Sequence, residues 1–199
     1  MDNQKLTFTE QVRKTFKSVS DGCARFLLNM GLTANMVTII GCVGHIIPFW
    51  LVYKGHFVVA ALLLTFFSLL DWIDGAMARM ATGGKGTEFG AVLDSTTDRY
   101  AEFLILGGIL LYYATRGSML WVTVSIVAMM GSFIVPYTRA KGEIYGLNMK
   151  LGIMSRMERY IALIFSLLIG YPYLSVALIA VFANITVIQR LLYMKKNLK

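Results

Sequence analysis

Six of the eleven acidic residues lie between Asp71 and Glu102, and four of these are the aspartates of the strings DWIDGAMAR and GAVLDSTTD. The surrounding sequence is apolar, and a charged side chain inside a membrane span costs about 2.5–3.5 kcal/mol. Several together need a cation. Asp71 and Asp74 are three apart and Asp94 and Asp98 four apart, so on two helices each pair shares a face, one turn above the other. A turn at Gly83, Gly84 and Gly86 that folds the second helix back on the first lets the four carboxylates converge. A cluster of hard oxygen ligands of this kind suits Mg2+ or Mn2+, with water and a substrate phosphate completing the coordination.

The residues between the aspartates fit a ligand beside such ions. Gly75 and Ala78 stand one turn along from Asp71 and Asp74, and Gly90 one turn before Asp94, which leaves those faces without bulk. Small residues there serve either a ligand's approach or close helix packing. Arg79 follows the same face and offers a planar guanidinium to a phosphate near the metal, or else reaches out to headgroups.

The elements that must position these residues are apolar runs long enough to cross a membrane, which takes about twenty residues each. Six follow one another, at 34–53, 57–80, 89–114, 118–140, 157–172 and 174–193. Before them, Val12, Phe16, Val19, Cys23 and Phe26 recur at steps of four and three, with Arg13, Lys14, Lys17 and Asp21 off that stripe. That pattern predicts an amphipathic helix lying in the membrane surface or against a partner domain. The first 25 residues carry charges throughout, so no secretory leader is expected there.

With six spans, Lys5, Arg13, Lys14, Lys17, Arg25, Arg79, Lys85, Arg99, Arg139, Lys141, Lys150, Arg156, Arg159, Arg190, Lys195, Lys196 and Lys199 fall on one side, and only Lys54 and Arg116 on the other. This bias places both termini and the aspartates on the cytoplasmic side. The expected architecture is an all-α integral membrane protein of six transmembrane helices, residues 31–199, preceded by a surface helix within residues 1–30.

Composition agrees. A chain that is 57% hydrophobic and 15% charged is too apolar for a soluble globule, and 13% aromatic residues exclude disorder. The net charge of +8 is accounted for by the cytoplasmic loops, without nucleic acid. Cys23 and Cys42 lack metal-site spacing and read as small apolar fillers. His45 and His56 fall at or beside the first turn on the far side and read as structural.

Asp71, Asp74, Gly75, Ala78, Arg79, Gly90, Asp94 and Asp98 together resemble the signature DxxDGxxAR…GxxxDxxxD of the CDP-alcohol phosphotransferases. The resemblance runs from Gly31 to the last span, with two departures. Ten residues separate Arg79 from Gly90 where the family commonly has about eight, which lengthens the turn. GLTANMVT at 31–38 resembles the family's TPN entry to the first span, with Ala34 in place of proline; it implies that Asn35 stands near the nucleotide.

The resemblance implies transfer of a phosphatidyl group from CDP-diacylglycerol to an alcohol with release of CMP, assisted by two divalent ions. It assigns Asp71, Asp74 and Asp94 to the first ion and Asp71, Asp94 and Asp98 to the second. Asp98 is also the general base toward the attacking hydroxyl. Gly75 and Ala78 would face the cytidine or its ribose, and Arg79 the diphosphate. The family commonly forms homodimers, so a homodimer is expected.

The acceptor is suggested by PYTRAKGEIYGLNMKLGIMSRMERY at 136–160, where Arg139, Lys141, Lys150, Arg156 and Arg159 put five cations on one connection. Such a cluster suits an acceptor bearing its own phosphate, or an ordinary positive-inside loop at anionic lipid. The stretch also resembles YxKARAE…RxER of the phosphatidylinositol phosphate synthase branch, with Arg139 and Lys141 exchanged in type and Arg156 and Arg159 matching. By that resemblance Arg139, Lys141, Arg156 and Arg159 hold the phosphate of inositol 1-phosphate. Glycerol 3-phosphate is the second candidate acceptor, and a free alcohol such as serine or inositol the third. A different class, a cation transporter, would scatter its carboxylates through the membrane depth instead of grouping them with glycines and an arginine.

Overall fold

The computed structural model describes residues 17–198, all-helical with no strand among them. The elements are α1 (Lys17–Asn29), α2 (Ala34–Gly44), α3 (Ile46–Lys54), α4 (Phe57–Ala81), α5 (Glu88–Ala114), α6 (Met119–Ile144), α7 (Arg156–Leu168) and α8 (Pro172–Asn197). The early part of the amphipathic stripe, Val12 to Phe16, lies outside the described residues.

The expected runs coincide with these helices. Ala34–Lys54, Phe57–Ala81, Met119–Ile144 and Pro172–Asn197 are each long and apolar enough to cross a membrane. The other two runs fall short for separate reasons. α5 carries Glu88, Asp94, Asp98, Arg99 and Glu102, and α7 has only 13 residues, about 20 Å of helix against a hydrocarbon layer of about 30 Å. The first run breaks at His45, three residues before Pro48, whose missing N–H and bulky ring interrupt the helix.

The chain forms two compact units that share the long helices α4 and α5. One runs to Gly44 and includes Phe66–Asp98. In it Ala24, Leu27 and Leu28 of α1 pack with Val37 of α2 and with Leu70, Ile73, Ala76, Met77 and Met80 of α4. The predicted stripe of α1 lies away from that packing: Val19 and Phe26 are 63% and 64% exposed, joined by Met30 just past the helix end. α1 therefore has two adjoining apolar arcs, and the one carrying Ala24 faces the protein. Leu32 N–H returns to the Leu27 carbonyl at 3.2 Å to close α1, and Thr33 Oγ1 accepts from Met36 N–H at 3.3 Å to start α2.

The second unit comprises His45–Thr65 and the chain from Arg99 onward. Its core joins Val52, Leu64, Ile105, Ile109, Ala128, Leu163, Leu167, Val176, Ile179 and Ala183. Small residues let the helices approach: any side chain at Gly108 would meet the Phe49 carbonyl at 2.9 Å, and one at Gly131 would meet Ala183 and Asn184. Asn184 Nδ2 donates across to the Val127 carbonyl at 3.3 Å, tying α8 to α6.

Candidate metal and phosphate site

The turn between α4 and α5 is built to a fixed shape. Gly84 N–H donates to the Arg79 carbonyl at 2.8 Å, closing α4 around Gly83, whose φ of +70° suits glycine. Thr82 Oγ1 donates to the Ala78 carbonyl at 2.7 Å and accepts from Gly86 N–H at 2.8 Å. Thr87 then caps α5, its Oγ1 accepting from Gly90 N–H at 3.0 Å.

This turn brings Asp71 and Asp74 of α4 to Asp94 of α5, with one oxygen from each within 4.8 Å of one another. Asp98, half-buried one turn beyond Asp94, stands outside that group of three. Asp74 is 5% exposed and accepts at Oδ2 from Thr38 Oγ1 of α2 at 2.5 Å. The threonine oxygen also lies 3.0 Å from the Ala34 carbonyl, but it has one proton, and the closer charged acceptor takes it. Three carboxylates this close repel one another unless a cation lies among them, and hard oxygen donors are what Mg2+ and Mn2+ accept, so the residues fit a divalent ion.

The neighbouring small residues and polar groups gather around the same turn. A Cβ at Gly75 would stand 3.3 Å from Arg79 Nη1, one at Gly86 3.8 Å from Ala78 Cβ, and one at Gly90 3.5 Å from Asn35 Oδ1. Arg79 is exposed, while Gly75, Ala78, Gly90 and Asn35 are half-buried. Thr38 carried no expectation of its own, although its place three residues after Asn35 is a helical signal that could have found it.

In the other unit the basic residues divide. Arg139 Nε pairs with Glu143 Oε1 at 2.8 Å, both about half-exposed, and Lys141 Nζ sits 5.8 Å over the Tyr137 ring. Arg156 lies 5.0 Å over the Tyr160 ring. Arg159, 2% exposed, makes a two-point contact with Glu102, Nε to Oε1 at 2.5 Å and Nη2 to Oε2 at 2.8 Å. The two partners stand 57 residues apart, which leaves no spacing signal. Glu158 forms a capping box with Ser155 that starts α7.

Arg190 of α8 is the functional candidate that sequence reasoning passed over, counted only as one of many cytoplasmic charges. It is 4% exposed and donates from Nε to the Leu151 carbonyl at 3.1 Å and from Nη1 to the Val135 carbonyl. It also feels the charges of Arg139, Arg159 and Glu143. The signal available was a charge deep in an apolar helix.

The family model for CDP-alcohol phosphatidyltransferase matches residues 31–190. The chain belongs to that family. Membership makes it a transferase and disposes of the transporter reading; with its apolar helices it is an integral membrane protein. It is 33% identical over 190 residues to archaetidylinositol phosphate synthase of Pyrococcus horikoshii, covering 95% of this chain and 97% of that one. It is 34% identical over 196 residues to phosphatidylinositol phosphate synthase of Corynebacterium glutamicum, covering 93% and 88%. The crystal structure of Mycobacterium tuberculosis phosphatidylinositol phosphate synthase with CDP-DAG bound superimposes with a TM-score of 0.82 at 31% identity, covering 87% of this chain and 92% of that one. The same enzyme in complex with manganese and citrate gives 0.81 at 33% identity, covering 86% and 87%.

Proposed function

We propose that this family member transfers the phosphatidyl group of CDP-diacylglycerol to inositol 1-phosphate, giving phosphatidylinositol phosphate and CMP. The aspartate cluster, the family and the relatives' names support the reaction class. The observation that carries the phosphorylated acceptor is the charge balance around α7 and α8. Arg159 and Arg190 are both buried, and Glu102, paired with Arg159, is the one buried carboxylate among the described residues of that unit. A surplus of buried positive charge is costly until an anion enters, and a phosphate with three acceptor oxygens matches guanidinium donors.

Asp71, Asp74 and Asp94 hold one divalent ion, Mg2+ or Mn2+, and Asp71, Asp94 and Asp98 a second. When bound, the ions neutralise the diphosphate and stabilise charge on the departing oxygen. Arg79 faces the diphosphate, and Gly75, Ala78 and Gly90 leave room for the cytidine with Asn35 at its edge. Asp98 takes the proton from the acceptor hydroxyl while the hydroxyl oxygen bonds to the phosphatidyl phosphorus; the bond from that phosphorus to the oxygen of CMP breaks, and its electron pair leaves with CMP. Arg139, Lys141, Arg156 and Arg159 hold the acceptor phosphate, and we add Arg190 to them.

In the same reading residues 31–199 act as one membrane domain, crossing the bilayer six times with the termini and the site on the cytoplasmic side. α1 lies in the membrane surface through Val19, Cys23 and Phe26, and the enzyme works as a homodimer. The deciding experiment supplies solubilised enzyme with CDP-diacylglycerol and Mn2+ and offers inositol 1-phosphate, glycerol 3-phosphate, inositol and serine separately. CMP release with inositol 1-phosphate is expected; release only with glycerol 3-phosphate moves the acceptor, and release only with the unphosphorylated alcohols removes the role given to the buried arginines.

A further inference from the structure

The guanidinium of Arg159 carries five N–H bonds, which point outward in its plane along distinct edges. The edge formed by Nε and Nη2 is closed by the two oxygens of Glu102, at 2.5 and 2.8 Å. Nη1 also reaches the Met154 carbonyl at 3.4 Å, the long limit of a hydrogen bond. That carbonyl belongs to a residue that is itself anchored, because Met154 N–H donates to Thr186 Oγ1 of α8 at 3.0 Å. The edge between Nη1 and Nη2 is the end of the fork, and two parallel N–H bonds there match two oxygens of a phosphate.

Burial gives this arrangement its force. Arg159 is 2% and Glu102 5% exposed, so water does not compete for the closed edge. A flexible three-carbon arm with one contact would sample many orientations; a two-point contact to a carboxylate on α5 fixes both the position and the rotation of the plane. We infer that Glu102 is a positioning residue for acceptor binding: its carboxylate holds one edge of the Arg159 guanidinium so that the adjoining edge meets the acceptor's phosphate. The inference rests on the phosphorylated-acceptor reading above and adds to it the residue that sets the geometry.

The test uses the full chain in detergent with Mn2+, varying inositol 1-phosphate and CDP-diacylglycerol in turn. Glu102→Gln keeps the shape, removes the charge and turns one of the two acceptors into a donor facing Arg159. The KM for inositol 1-phosphate should rise about tenfold or more, with the KM for CDP-diacylglycerol and kcat held within about threefold. A folded Glu102→Gln enzyme with unchanged acceptor KM overturns the inference, as does an equal rise in both KM values, which is the mark of a structural pair.

Should Glu102→Gln fail to fold, Glu102→Met combined with Arg159→Met replaces the buried pair by apolar side chains of similar size, a change such sites often tolerate. If the pair serves packing alone, the double variant keeps the wild-type acceptor KM, and the inference falls. If the pair presents a fork to phosphate, the double variant melts like the wild type yet its acceptor KM rises as expected for Glu102→Gln. A wild-type enzyme that uses only unphosphorylated alcohols is a distinct outcome: it ends the reading on which the inference rests, before any variant is compared.

Discussion

Thr38 Oγ1 lies 2.5 Å from Asp74 Oδ2, and both side chains are buried. The contact links α2 to the cluster on α4 and α5 and fixes which oxygen of Asp74 remains for a metal. Removing such an outer partner typically costs about 10–100-fold in metal affinity or activity. Thr38→Val keeps the shape and removes the donor, so half-maximal CMP release should need about tenfold more Mn2+ or beyond, while Thr38→Ser stays near the wild type. A Mn2+ titration of CMP release, checked by the free-Mn2+ signal in electron paramagnetic resonance, reads this directly. An unchanged titration would remove Thr38 from the support of the metal.

The three carboxylates whose oxygens lie within 4.8 Å oppose one another when no cation is present. Two unit charges at that separation repel by roughly 3–4 kcal/mol at an effective dielectric of about 20. Asp94→Asn relieves part of this repulsion. In excess EDTA this variant should therefore melt about 2–4 °C or more above the wild type, although it releases no CMP. Adding Mn2+ should raise the wild-type melting temperature and leave that of the variant nearly unchanged, so the order of the two reverses. Tryptophan fluorescence during heating gives both curves. A variant that is less stable than the wild type in EDTA would mean that Asp94 is held by protein donors and not poised for an ion.

Arg190 and Arg139 share a charge and a neighbourhood but differ in burial, and the two should respond differently to truncation. Arg139 is about half-exposed and pairs within its own helix with Glu143, an arrangement worth about 0–1 kcal/mol. Arg190 is buried and ties the Leu151 carbonyl to α8. Arg190→Ala and Arg159→Ala should raise the KM for inositol 1-phosphate by about tenfold or more, Arg139→Ala by only a few-fold. None should change the KM for CDP-diacylglycerol as much. Measured KM values for both substrates decide it, and a reversed order between Arg139 and Arg190 would place the phosphate at the exposed rim of the cluster.

The grouping of Asp71, Asp74 and Asp94 was legible because its information is local. Asp71 and Asp74 are one turn apart, Asp94 and Asp98 one turn apart, and the glycines between them mark the turn that folds one helix onto the other. Helix positions were legible for the same reason, since apolar runs set them. The partnership of Thr38 with Asp74 spans 36 residues and that of Glu102 with Arg159 spans 57, and neither leaves a spacing pattern. Arg190 was hidden in another way: counted with Lys195 and Lys196 it looks like a cytoplasmic flank, and only its burial among carbonyls separates it from them. α1 shows a third limit. Its outward stripe was visible in the sequence, but the arc of Ala24, Leu27 and Leu28 that packs on α4 is equally apolar, and periodicity alone does not rank two adjoining arcs.

The connection between α6 and α7 carries Lys150 and leads into Arg156 and Arg159, so its shape governs where those cations stand. It is docked at three points. Met149, 1% exposed, packs onto Gly142; the Leu151 carbonyl accepts from Arg190; and Met154 N–H donates to Thr186. Gly152 lies between the last two with φ at +124°, and a Cβ there would stand 2.4 Å from Thr186 Cγ2. Alanine at this position is opposed both by the backbone conformation and by the space, at a cost of about 1–3 kcal/mol. The backbone must then shift, and the bond to Arg190 one residue away is the first to lengthen. Gly152→Ala should raise the KM for inositol 1-phosphate by about tenfold and make the connection more readily cut at Lys150 by trypsin. The KM for CDP-diacylglycerol should stay near the wild type, because the turn that shapes the aspartate cluster is built separately by Thr82 and Thr87. Faster cleavage with an unchanged acceptor KM would mean that the connection is docked for stability and has no part in holding the acceptor.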